Sequence, residues 1–399
     1  MFEVNKLTEE DFKAIGNLLL ENKLEEAVNM LLPLFKDENL QSRAAAVWVV
    51  ESSAEKFPKM AEKSLPYILK LALTDESTYV RANALEVLGS LSLRIPEHFQ
   101  KLAPTILKSL ENTDIDYRWN SMLALGWIGG SNPRVITNLI PQLAKHLNSK
   151  NEMMKATSVL AMGWIGGSNP ESVKNYVPTM VSLTKNDELV YVRSNAMEAL
   201  VAIAYNKPEI VENFLADIAF IAVNDSEPSV RGSAVEALII LTKKTELVEK
   251  IVSSIFKVVE KGTDMTNWNA VQALGWVGNS NPKTIYNILI NLRELLISAS
   301  ENVRGTAVLG IGWIAGNNPK EAQPFLGEIT QDLIKILEDK KAAVRKKAID
   351  SLGWIIGNSP QISPSIMPKI KKLADEDNDE NVREKAKSTL KFISSIKKE

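Results

Sequence analysis

Trp119-Asn120-Ser121-Met122-Leu123-Ala124-Leu125-Gly126-Trp127-Ile128-Gly129-Gly130-Ser131-Asn132-Pro133 is matched later in the chain by Trp268-Asn269-Ala270-Val271-Gln272-Ala273-Leu274-Gly275-Trp276-Val277-Gly278-Asn279-Ser280-Asn281-Pro282. Shorter echoes stand at Gly163-Trp164, Gly312-Trp313 and Gly353-Trp354. Self-similarity of this kind marks a chain built from repeated structural units. Working outward, a basic residue opens each amphipathic stretch: Arg43, Arg81, Arg118, Lys155, Arg193, Arg231, Arg304, Arg345 and Arg383, with Asn267 in that place in the seventh stretch. Successive landmarks lie 36 to 41 residues apart, and ten repeats account for the chain without a gap.

The punctuation is regular. Fifteen residues after the landmark stands Pro58, Pro96, Pro133, Pro170, Pro208, Pro282, Pro319 or Pro360, while the sixth and tenth repeats have Glu246 and Lys398 there. Proline cannot extend the helix it follows but starts the next one well. Eight residues further on, Pro66, Pro104, Pro141, Pro178 and Pro368 fall inside the following helix and are expected to kink it. Each repeat therefore reads as helix A, a short turn, helix B and a proline-marked turn. No stretch alternates with period two, so strands are not expected. Residues 8–21 read as one further helix. Thr8 and Asp11 resemble a capping box, and Phe12, Ile15, Leu18 and Leu19 share a face.

Six positions before the landmark stands an aspartate in six repeats: Asp37, Asp75, Asp187, Asp225, Asp339 and Asp377. Val-Arg then opens helix B, as at Val80-Arg81, Val192-Arg193, Val230-Arg231, Val303-Arg304, Val344-Arg345 and Val382-Arg383. This Asp…Val-Arg…Ala…Leu pattern resembles the signature of the HEAT-repeat superfamily, including the PBS-lyase HEAT-like repeats. The resemblance implies an all-α, right-handed α-solenoid of about ten HEAT-type helical hairpins. It also implies an Asp–Arg ladder between neighbouring turns. The expected organisation is a cap helix over 1–22 and a continuous solenoid over 23–397, with sub-blocks 23–96, 97–246 and 247–399. The third repeat matches the seventh and the fourth the eighth, so the last eight repeats read as two copies of a four-repeat block.

Counting from the landmark, positions −1, +3, +4, +7 and +11 cluster on one side of helix B at about 100° per residue. Val80, Ala84, Leu85, Leu88 and Ser92 are one such set. The opposite side holds Trp119 and Trp268 at +1, Leu123, Leu160 and Leu309 at +5, and Trp127, Trp164, Trp276, Trp313 and Trp354 at +9. Helix B lines the concave side of HEAT solenoids, so the resemblance puts these residues in a groove or on the flank of an adjacent B helix. Gly126, Gly163, Gly275, Gly312 and Gly353 at +8 sit mid-helix, where glycine costs about 1 kcal/mol against alanine. Close approach of a neighbouring helix or a ligand backbone would offset that cost. Two readings stand side by side. Either the tryptophans pack across the glycines as an internal ladder, or they form an apolar groove for a helix or extended segment of a protein partner. Trp119 and Trp268 favour the groove, since they occur only in the two matched repeats, and Trp127 and Trp276 favour burial against the next B helix. The expected binding set is Trp119, Asn120, Leu123, Trp127, Trp164, Trp268, Asn269, Trp276, Trp313 and Trp354, the two asparagines offering hydrogen bonds to a partner backbone.

Composition removes several chemistries. The 399 residues include no cysteine, so thiolate catalysis, disulfides and Cys-ligated metals are excluded. A formal net charge of −2 gives no global attraction to nucleic acid or anionic membrane. The first residues lack a basic and then apolar leader, and no run of about 18 apolar residues occurs, so a cytoplasmic protein without a membrane span is expected. His98 and His146 lie far apart in repeat register, which argues against a metal site. Gly310-Ile311-Gly312-Trp313-Ile314-Ala315 spells a loose dinucleotide fingerprint, but within a helical pattern and after no strand.

Deoxyhypusine hydroxylase, a HEAT-type enzyme, is similar in having two blocks of repeats, but its His-Glu iron ligands open B helices. Here those positions hold Trp119-Asn120, Ala156-Thr157, Ser194-Asn195, Gly232-Ser233, Trp268-Asn269 and Gly305-Thr306. The HEAT-like alkylpurine DNA glycosylases use a Trp-lined basic face and an aspartate, which Asp114, Asp116 and Asp264 resemble only loosely. Lysines and arginines do gather late, at Lys340, Lys341, Arg345, Lys346, Lys347, Lys369, Lys371 and Lys372, as a solvated helix face or a site for an anionic partner. No catalytic residue, metal or cofactor is expected. The leading expectation is a non-enzymatic scaffold or adaptor. The alternative is a nucleic-acid binder that stacks bases on the tryptophans and holds phosphates with the late lysines.

Overall fold

The computed structural model describes residues 9–112, 114–259 and 263–396, and every regular element among them is helical. Glu9–Leu20 precedes the repeats, with Ile15 and Leu19 buried. The capping reading at Thr8 lies outside the described residues. Eight B helices run 17 residues each, from Thr78–Arg94 to Glu380–Ile396, while Leu40–Ser53 and Pro228–Leu241 are shorter. Side chains at the entries satisfy helix N–H groups that would otherwise lack partners. Asp114 accepts from the Tyr117 N–H at 2.9 Å and Asn151 from the Met154 N–H at 3.0 Å. In eight repeats a proline follows the end of the B helix, the residue before it leaving helical geometry, as Asn132 and Asn169 do.

The chain forms two compact units, Met1–Val211 and Glu212–Glu399. In each, A helices and B helices make two layers with the core between them. Phe99, Ile106, Met122, Leu125 and Ile128 fill it in the first unit, and Ile251, Ile255, Ile311, Leu333 and Ile370 in the second. The A helices are one-sided. The B helices are apolar nearly all round, because each packs on its A helix and on neighbouring B helices at once. In Glu152–Ser168 every residue from Ala156 to Gly166 is buried except Leu160 and Trp164.

The second prolines act unevenly. Pro66, Pro104 and Pro368 ride inside continuous helices. At Pro141 and Pro178 the A layer instead restarts, after 3-10 turns, as Ile140–Ala144 and Val177–Asn186. The sixth repeat restarts in the same way at Leu215–Asn224, where Ala216 replaces the proline. The break thus belongs to the packing of the A layer and is tolerated by proline at the first helical turn, where no N–H is needed.

The ladder between turns is present. Arg43 donates Nη1 to the Asp37 carbonyl at 2.8 Å and grips Asp75 through Nε and Nη2 at 2.7 and 2.9 Å. Arg304 holds the Ser298 carbonyl and Asp339, and Arg345 the Asp339 carbonyl and Asp377, in the same geometry. Lys155 meets Asp187 likewise. Each aspartate also caps its own turn, as Asp377 does for the Asp379 N–H at 2.9 Å. The hydrogen bond from Arg345 is the main reason the Asp377 carboxyl ionises below its ordinary value. At Asp339 burial pushes the other way, and the bond from Arg304 outweighs it together with the remaining contacts.

A carboxyl depressed on folding stabilises fully above its unfolded value and loses that contribution as pH falls through the folded one. Asp377→Asn, which keeps the shape and drops the charge, should therefore cost about 1–3 kcal/mol at pH 7 in urea unfolding. The gap between wild type and variant should hold from neutral pH down to about pH 4 and shrink below it. A gap that persists undiminished at the lowest pH would remove the ionic account of the rung.

Candidate functional site

The outward strip of the B helices is where the structure leaves large apolar side chains uncovered. In the first unit Trp119, Leu123, Trp127 and Trp164 are half-buried. In the second, Trp268 is 36% exposed, Trp276 55% and Trp354 38%, while Trp313 is half-buried. Trp48, at +5 of the first repeat, lies on the same strip, 40% exposed, in a helix that lacks the Gly-Trp pair.

The glycines at +8 meet close neighbours. A Cβ placed on Gly126 would lie 2.8 Å from the ring of Trp164, and one on Gly275 only 1.7 Å from the ring of Trp313. Gly163 faces Ala199 at 2.8 Å, Gly312 faces Ser351 at 2.3 Å, and Gly353 faces Thr389 at 3.1 Å. Trp164 and Trp313 thus lean back over the glycine of the preceding B helix. Trp127 also touches the helix that follows, its ring 5.2 Å from that of Trp164 and tilted by 48°.

Trp276 departs from the burial expected at +9. The preceding helix, Pro228–Leu241, carries Ile239 at +8, so no glycine is there to receive the ring. A groove of about 390 Å³ remains between Trp276, Gln272 and Ala273 on one helix and Val235, Glu236 and Ile239 on the other. A second one, of about 350 Å³, is lined by Trp313, Asn317, Trp354, Asn358 and Phe392. Asn317 and Asn358 each turn their amide N–H back to the tryptophan carbonyl four residues earlier, at 2.8 and 3.4 Å.

Asn120 and Asn269 stand apart from the tryptophans they follow. They are 7% and 9% exposed. Asn120 donates to the Leu73 carbonyl at 3.1 Å, and Asn269 to the Val223 carbonyl at 2.9 Å, each in an A helix one repeat back. They tie the base of each tryptophan-bearing helix in place. Asn132 does a similar job at the other end, donating to the Ser92 carbonyl of the previous repeat at 2.7 Å. The quoted Asn-Pro pair contains this cross-link, although the sequence shows only its turn.

The late basic residues are interleaved with acids. Arg345 is committed to Asp377, Lys341 pairs with Glu301 at 2.9 Å, and Glu338, Asp339, Glu376 and Asp377 line the same groove as Arg345, Lys369 and Lys372. Among the described residues no cluster of three or more His, Asp or Glu side chains is placed to hold a metal ion, and no helix is long and apolar enough to cross a membrane.

Comparison with known families settles what this stack of hairpins is. Residues 65–144 and 288–391 match the family described as HEAT repeats. The chain belongs to the HEAT-repeat superfamily. Within this HEAT chain, residues 123–309 also match the Adaptin N terminal region. No curated protein sequence matches it. Two solved structures share the HEAT architecture over nearly the whole chain. A crystal structure of importin beta is 16% identical, with a TM-score of 0.53, and the match covers 97% of this chain and 56% of that one. A structure of Kap95p with RanGDP is 14% identical, with a TM-score of 0.51, and covers 93% of this chain and 50% of that one. The HEAT chain thus spans about half the length of these proteins.

The glycine seats give a direct test. Gly312→Ala puts a methyl group against the backbone and Cβ of Ser351, at 2.5 and 2.3 Å, and should cost about 1–3 kcal/mol in spite of alanine's better helix propensity. Gly232→Ala, with nothing within 4 Å, should instead stabilise by about 0.5–1 kcal/mol. Melting curves that rank the two variants in the opposite order would overturn the close-approach account.

Proposed function

We propose that this chain is a non-enzymatic scaffold or adaptor, working in the cytoplasm, that binds a helix or extended segment of a protein partner along its B-helix face. The observation that carries this is the row of uncovered tryptophans. Most soluble chains bury such rings, and an exposed apolar strip marks an interaction surface. Trp268, Trp276 and Trp354 are the most exposed of the expected contacts, with Trp119, Leu123, Trp127, Trp164 and Trp313 completing the strip. Asn120 and Asn269 serve the partner indirectly, by holding the tryptophan helices rigid before binding. Rigid anchors lose little entropy when a partner settles on them. Kap95p, whose fold is similar, is described as binding RanGDP, which supports a protein partner without naming this chain's own. No cofactor enters this reading.

Trp119→Ala and Trp268→Ala should lower stability by about 1 kcal/mol or less, as at partly exposed positions. Quantitative capture of the partner on each variant should fall by about 2 kcal/mol of affinity, as at a hot spot. Trp164→Ala and Trp313→Ala, seated over glycine, should cost about 3 kcal/mol of stability. The competing nucleic-acid reading requires DNA or RNA binding that weakens steeply with salt. Such a slope, together with partner capture indifferent to Trp119 and Trp268, would decide against the scaffold.

A further inference from the structure

The junction between the sixth and seventh repeats breaks both devices that join other repeats. After Arg43, Lys155, Arg304 and Arg345 an aspartate completes the rung. After Arg231 the corresponding sequence position is Lys261, and the next landmark is Asn267 instead of a cation. Arg231 still donates Nη1 to the Asp225 and Ser226 carbonyls at 2.8 and 3.1 Å, but among the described residues no carboxylate pairs with it. On the packing side, Ile239 stands where glycine would receive the next tryptophan. The result is the groove of about 390 Å³ with Arg231 at one end and Ile239 and Trp276 at the other. A guanidinium for which the described residues offer no carboxylate and an indole without a glycine seat therefore share one opening.

We infer that this groove docks a protein segment carrying a carboxylate side chain and a large apolar side chain. The carboxylate pairs with Arg231 where the sequence has Lys261 in place of a rung aspartate. The apolar side chain fills the space that Ile239 keeps open beside Trp276. This inference rests on the protein-binding role proposed above and names the chemistry of one contact.

The dimensions constrain the segment. Arg231 and Ile239 are eight residues apart on one helix, about 12 Å along its axis. An extended chain advances about 3.3 Å per residue, so the two side chains belong about four residues apart. Glu236 lines the groove between them and repels a second carboxylate there, so the stretch between the two anchors is neutral or basic.

A random-peptide display library panned on the whole chain tests this. Peptides enriched by wild type should carry Asp or Glu about four residues from Trp, Phe or Leu. A labelled synthetic peptide of that kind should bind at least tenfold more weakly to Arg231→Gln and to Trp276→Ala. Replacing its acidic residue with Asn should have the same effect, and that comparison needs no protein variant at all. Enriched peptides without the acid, or a lysine-substituted peptide that binds as well, would overturn the inference. So would binding that survives both protein variants. If that surviving binding is lost in Trp119→Ala, the docking groove is refuted while the wider B-helix reading stands.

Discussion

The structure depends on one charged link made between successive turns. At Arg43, Arg304 and Arg345 the guanidinium that opens a B helix reaches back to the carbonyl six residues earlier and forward to an aspartate of the next repeat. Asp377 is held from both sides, because it also caps the turn in which it sits. Its carboxyl is 3% exposed and Arg345 14%. Charges so buried are tolerable only when their hydrogen bonds are filled, and here the fork geometry fills them. The link fixes how far one hairpin is offset from the next. Everything lateral, including which residues of adjacent B helices meet, follows from that offset.

Given the offset, the B helices come close enough that position +8 has little room for a side chain. Glycine there gives up about 1 kcal/mol of helix stability. In return the flanking helix brings in Ala199 or Ser351, or the broad ring of Trp164 or Trp313. The same contact decides what remains outside. Trp164 and Trp313 lean inward over the glycine of the preceding helix, whereas Trp276 stays out beside Ile239. Packing and interaction surface are therefore two settings of one contact.

This explains what the sequence discloses and what it withholds. The period, the landmark cations, the rung aspartates and the outward strip all lie within one repeat and repeat themselves, so periodicity alone reveals them. The direction in which a tryptophan leans involves two repeats and their offset, which no single repeat encodes. Trp127 and Trp276 occupy matched positions in near-identical segments, yet differ in surroundings: Gly89 lies against the Trp127 backbone and the Trp164 ring lies beside its indole, whereas Ile239 precedes Trp276. Asn120 and Asn269 turn away from the tryptophans they follow for a related reason. They are adjacent to Trp119 and Trp268, but about 100° further round the helix, which turns their amides into the A layer. The second prolines mislead in the opposite sense. Their position suggests they cause the A-helix breaks, whereas Leu215–Asn224 starts in the same way with Ala216.

A repeat protein gains stability from each interface with its neighbours, so an interface that forgoes its usual links carries a local cost. The sixth and seventh repeats forgo two, and they do so at adjoining positions. Arg231, which meets Lys261 in place of a rung aspartate in the sequence, and Ile239, which replaces glycine, lie on the same helix and line the same groove. Asn267, in the landmark position that follows, is fully buried with both side-chain polar atoms unpartnered, a further local cost at this junction. Other repeats lack one of the two devices, as the second and third do with Asn112 and Ser149 in the aspartate's place beside a retained +8 glycine, whereas here both are missing beside one groove. Their concurrence on one opening is what a binding surface requires, because a partner can recover only those interactions that the fold has left unmade.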